Sequence, residues 1–183
     1  MWRAAYKKAP MATREFDARS AVEQFPSVWQ RVVTDPVGFF ADMPETGGLG
    51  EPAAFLAISA AINALGHLLL PLVGIRAMAS IFVWQIVAAV LTATFFVLIA
   101  QNLFAGRAGF EPTFRVVAYA WAPLVVAWVP VVGRLALLYT AYLMLRGLER
   151  VQGLETTRAL LTVVVGAAIL WVLGIVGFGA VWF

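Results

Sequence analysis

The sequence predicts an all-α integral membrane protein: about five transmembrane helices, two of them a short hairpin, behind a short interfacial amphipathic segment. Three observations predict it. Of 183 residues, 62% are hydrophobic and 13% charged, against about 45–50% and about 25% in a soluble domain. The apolar residues fall into runs of about 20 or more, the length that crosses a hydrocarbon layer about 30 Å thick. The acids are segregated, with seven of the ten (Glu15, Asp17, Glu23, Asp35, Asp42, Glu45, Glu51) lying before Pro52. This composition argues against a water-soluble globular enzyme. The net charge of +3 is too small an excess to suggest nucleic acid as a partner. With no cysteine, disulfides, thiolate metal sites and Cys nucleophiles are absent.

Residues 1–51 read as a cytosolic N-terminal tail that carries interfacial helices. The start MWRAAYKKAP is basic but lacks an apolar run behind it, so it is not a secretory signal peptide. Met11 is an alternative start. Ser27 followed by Gln30 forms a capping-box pattern, and Val28, Trp29, Val32 and Val33 then share one face of a short helix. Thr34-Asp35-Pro36 reads as a stop and restart, with Asp35 as N-cap and Pro36 at the first helical position. The segment from Val37 to Met43 carries Phe39 and Phe40 and ends at Pro44. Aromatic residues flanked by charge suit a helix at the headgroup level, so Trp29, Asp35, Pro36, Phe39 and Phe40 are candidates for a partner or membrane-surface contact. The alternative is a short amphipathic helix packed on the membrane core. The run GGLGEP then leads flexibly into the membrane.

Residues 52–183 form the helical transmembrane domain, with spans expected at about 52–73, 77–100, 114–130, 133–147 and 159–183. The run Val116–Leu145 is too long for one span, and Pro123, Pro130, Gly133 and Arg134 interrupt it. Trp128–Arg134 reads as a tight turn between two short spans, Arg134 snorkelling to the far headgroups. A re-entrant hairpin is the other possibility. With five spans and the N-terminus inside, eleven basic residues lie on the inner side and only Arg76 and Arg134 on the outer. By the positive-inside rule this sets the orientation: N-terminus inside, C-terminus outside, with Trp182-Phe183 at the outer interface.

No Asp, Glu, Lys or Arg lies within 52–73, 77–100 or 159–183, which counts against transporters and proton pumps, since these place such groups on their pathway. Asn63 and His67, the only histidine, lie four residues apart on one helical face. Together with Gln85 they read as intramembrane polar packing, each interhelical hydrogen bond contributing about 0.6–2 kcal/mol; the alternative is a polar lining. One His and no Cys cannot make bis-histidine haem ligation or a His-rich metal site. A Ser-His-Asp triad would need an acid that the membrane region lacks. No catalytic, metal or cofactor-binding residue is expected, and no cofactor. Ala53, Ala57 and Ala61 on the first span, and Gly174, Gly177 and Gly179 on the last, are close-packing signals. Tyr139, Tyr142 and Arg146 give the fourth span a polar-tipped face, read as packing with snorkelling rather than a binding face.

The order of these elements resembles the Yip domain family, named for Ypt/Rab-interacting proteins, and in particular its prokaryotic members. The resemblance covers roughly residues 28–165. It rests on VVTDPVGFFADMP, with Asp35-Pro36 and Phe39-Phe40 before the first span. It rests also on Tyr119, Ala122-Pro123, Pro130 and Gly133 in the hairpin, and on Gly147-Leu148 after it. It implies an all-helical membrane domain with a cytosolic N-terminus and no catalytic residues. For eukaryotic relatives it implies roles in vesicle trafficking through small GTPases; with no folded cytosolic domain read before the first span, GTPase recruitment is not expected here.

The expected function is a non-enzymatic scaffold or accessory subunit of the bacterial cytoplasmic (inner) membrane. Its partners would be membrane lipids and other integral membrane proteins, within a larger complex. The alternative is a small transporter or channel lined by Asn63, His67 and Gln85. An integral-membrane enzyme ranks third, for want of acid–base pairs.

Overall fold

The computed structural model describes Phe16, residues 21–70 and residues 75–182, with the backbone alone at Val22 and at 174–182. The alternative start at Met11, the far end of the first expected span and Phe183 lie outside the described residues, as do the side-chain surroundings of Trp182 and of the three late glycines.

Among the described residues every regular element is helical. In chain order they are α1 (Ala21–Thr34), α2 (Pro36–Asp42), α3 (Gly50–His67), α4 (Ile75–Phe104), α5 (Phe110–Ala120), a 3-10 segment η1 (Ala122–Val126), α6 (Pro130–Gln152) and α7 (Thr156–Trp182). The helix α1 starts earlier than the Ser27 signal, with Pro26 inside it. Ser27 Oγ donates to Gln24 O at 2.8 Å, a bond back into the helix rather than a cap. Packing explains the extra turn: Phe25 meets Phe55 at a tilt, 5.0 Å between ring centres, and the edge of Phe16 at 6.5 Å. Asp35 is the N-cap of α2, its carboxylate accepting from Gly38 N at 3.1 Å, and Pro36 opens the helix.

Among the described residues three helices are long and apolar enough to cross a membrane: α4, α6 and Thr156–Leu173 of α7. The expected count of about five spans is not confirmed. Over the described residues the other two expected spans fall short for different reasons. In α3, 18 residues long, Glu51, Asn63 and His67 dilute the apolar run. The hairpin's first arm is broken, because Pro123 lacks the N–H that would continue α5 and its ring crowds the carbonyl four residues back. The chain therefore turns through η1 and restarts at Pro130, the first-turn proline of α6.

The turn consequently lies at 121–129, before the predicted Trp128–Arg134, and Arg134 sits within α6. Gly133 N donates to Val129 O at 2.6 Å, and a Cβ on Gly133 would stand 2.3 Å from Ala127 O. Gly133 thus seats α6 against η1 rather than forming the turn.

Residues 113–125 are all buried, so α5 and η1 form the centre of the bundle, wrapped by α3, α4 and α6. The core is uneven along the helices. Buried residues of α4 lie between Ala88 and Ala100, and those of the described side chains of α7 between Ala159 and Gly166. Leu98, Leu103, Leu137, Leu138, Leu160 and Trp171 face outward.

Candidate functional site

Two groups of residues hold the N-terminal segment on the bundle. The first is aromatic. Tyr119, fully buried in α5, meets Phe39 edge-on and Phe55 at a tilt, each at 5.0 Å between ring centres. Phe39 in turn meets Phe40 at 5.5 Å. Trp29 Nε1 donates to Ala122 O at 2.8 Å, and Tyr139 Oη donates to Val33 O at 2.7 Å. The second bond satisfies a carbonyl in the last turn of α1, Val33 O, which lacks a partner within the helix, and the first ties α1 to the opening residue of η1. Each aromatic pair contributes about 0.5–1.5 kcal/mol beyond its buried area. Of the residues read as candidates for a partner or membrane-surface contact, Phe39 is 2% and Phe40 1% exposed and Trp29 is half-buried, an arrangement that matches the alternative of a short helix packed on the membrane core.

The second group is polar and gathers where α4 meets α5 and α6 meets α7. Gln152, the last residue of α6, is buried beneath the 105–109 connection. Its Oε1 accepts from Ala108 N at 3.0 Å, while its Nε2 donates to Ala108 O at 3.1 Å and to Thr113 Oγ1 at 2.9 Å. Arg107 N donates to Gln152 O at 3.2 Å. The Arg107 guanidinium donates to Val151 O at 3.0 Å and Arg150 O at 3.1 Å, placing a cation on the carbonyl end of α6. The chain leaves α6 through Gly153 in the left-handed region (φ 66°).

The 43–49 linker joins this cluster. Glu45 Oε1 accepts from Arg150 Nη1 at 2.9 Å and from Arg107 Nη2 at 3.3 Å. Gly48 N donates to Glu111 at 2.7 Å, and Gly48 O accepts from Arg115 at 2.6 Å. Arg115 is fully buried, 3.5 Å from Glu111 one helical turn away. A buried guanidinium requires such partners, since removing a charge from water costs several kcal/mol.

Among the intramembrane polar residues, Asn63 is buried and Gln85 half-buried, and the side-chain oxygens of both are shielded with no partner among the described residues. His67 is half-buried, and its Nδ1 donates to Asn63 O at 2.9 Å within α3. No hydrogen bond joins the three side chains among the described residues. Of the hairpin residues, Tyr119 anchors the aromatic group, Pro123 and Pro130 delimit η1, and Gly147 lets α6 close on Val116. Sequence reasoning missed Glu45, Arg107, Arg115 and Gln152 as a cluster. Gly153 was the one signal within reach, because a glycine after a basic helix end marks the C-terminus.

A family model described as the Yip1 domain matches residues 31–181. No curated protein and no solved structure matches the chain.

Proposed function

Because the chain belongs to the Yip1 domain family of multi-spanning membrane proteins, whose members interact with other proteins, we propose that it is a non-enzymatic scaffold or accessory subunit of the bacterial cytoplasmic membrane. One observation carries this reading. The polar cluster at the α6 end is committed to structural bonds, Arg107 to α6 carbonyls, Gln152 to Ala108, and Arg115 to Gly48 and Glu111. What the bundle offers outward is apolar helix face, suited to lipid and to helices of other membrane proteins. The N-terminus lies inside and the C-terminus outside, on the strength of the charge distribution. Purification from native membranes in mild detergent, with mass spectrometry of what accompanies the chain, tests the proposal. A membrane partner in fixed ratio is the expected result; a chain that emerges alone overturns it.

The second reading, a small transporter or channel, draws on the shielded, unpartnered oxygens of Asn63 and Gln85. Transport by the reconstituted chain, abolished by both His67→Gln and His67→Leu, would favour it.

A further inference from the structure

We propose that Arg107 and Arg150 form a binding site for the phosphate of an anionic phospholipid headgroup, which Glu45 occupies as an internal stand-in. Two guanidinium groups converge on a single carboxylate oxygen, at 2.9 and 3.3 Å, so two positive charges meet one negative charge. The side chains of Arg107, Arg150 and Glu45 are 59%, 44% and 40% exposed, open to a ligand from outside. Arg107 does not depend on Glu45 for its orientation, since Val151 O and Arg150 O already hold its guanidinium. Arg107, fixed in this way, and Arg150, whose guanidinium bonds to Glu45, together present two cations that suit the oxygens of a phosphate better than one carboxylate does.

Glu45 is the movable member of the trio. It lies between helices on a linker whose Gly47 and Gly48 adopt φ of 134° and 91°. The apolar side chain that precedes the site makes the occupant a lipid. Leu103, 66% exposed in the last turn of α4, stands four residues before Arg107 at the end of a helix long enough to cross a membrane. Acyl chains along α4 would bring a headgroup to this level.

The full-length chain in neutral detergent, titrated with phosphatidylglycerol or phosphatidylcholine and read by native mass spectrometry, tests the inference. The wild type should prefer phosphatidylglycerol. Arg150→Gln should weaken that binding by about fivefold, the equivalent of ~1 kcal/mol for one interfacial arginine. Glu45→Gln should tighten it, because the competing anion is gone. Phosphatidylcholine binding should not change in either variant. A simple structural ion pair predicts that neither variant alters lipid preference, and that result overturns the proposal. Inorganic phosphate competing at low millimolar concentration would overturn the assignment to lipid and leave a free-anion site. If Arg150→Gln loses its helical signal, Glu45→Gln becomes the deciding variant, and unchanged or weaker phosphatidylglycerol binding there is the refuting outcome.

Discussion

Gln152 and Ala108 form a closed hydrogen-bonded pair, the side-chain amide of one matching both backbone groups of the other at 3.0 and 3.1 Å. They lie 44 residues apart, and the pair fastens the α4–α5 connection to the end of α6. Gln152→Leu keeps much of the volume but leaves the buried Ala108 N–H without its partner, while Ala108 O keeps its bond from Gln101 Nε2 at 3.0 Å. We expect a loss of about 2–3 kcal/mol, seen as a lower melting temperature in detergent. An unchanged melting curve would mean that the connection has other fastenings.

Burial of Phe39 and Phe40 changes what their substitution should do. Phe39→Ala and Phe40→Ala should each destabilise the bundle by about 3–5 kcal/mol, through lost transfer energy and the cavity left beside Tyr119. Heating of the purified variants, followed by circular dichroism, reads the effect. Variants as stable as wild type would place these rings outside the core and restore the surface-contact reading.

Gly147 meets Val116 so closely that a Cβ would fall 2.2 Å from its Cγ1. Gly147→Val should therefore cost about 1–3 kcal/mol by forcing α6 from α5. Val116→Ala in the same chain should recover part of that loss, because it removes the opposing methyl groups. Additive damage in the double variant would rule out contact between the two positions as the cause.

The contacts among Arg107, Val151 and Gln152 place the 105–109 connection beside the α6–α7 connection. Reporter fusions after Gly106 and Gly153 should accordingly agree, both inside, with Ala12 inside and Phe183 outside. Disagreement between Gly106 and Gly153 is incompatible with the bundle, whereas an inside signal at Phe183 refutes only the orientation of the last helix.

The sequence by itself determined that the chain is helical and built for a membrane. Those properties follow from local quantities: the length of the apolar runs of α4 and α7, and cap chemistry such as Asp35-Pro36. Prolines were legible as interruptions, yet which of them ended a helix was not. Pro26 is carried inside α1 because Phe25 gains ring contacts with Phe16 and Phe55, while Pro123 ends the helical run in the crowded centre of the bundle. Tertiary structure alone decided which way Phe39 and Phe40 face, since an aromatic residue on an amphipathic helix suits lipid headgroups and a protein groove equally well. Tyr119 of α5 and the face of α6 supply that groove, from helices far along the chain from α2. The cluster of Glu45, Arg107, Arg150 and Gln152 was hidden for the same reason. Its members come from the 43–49 linker, the 105–109 connection and the end of α6, and only the folded bundle brings their charges and amides within hydrogen-bonding distance.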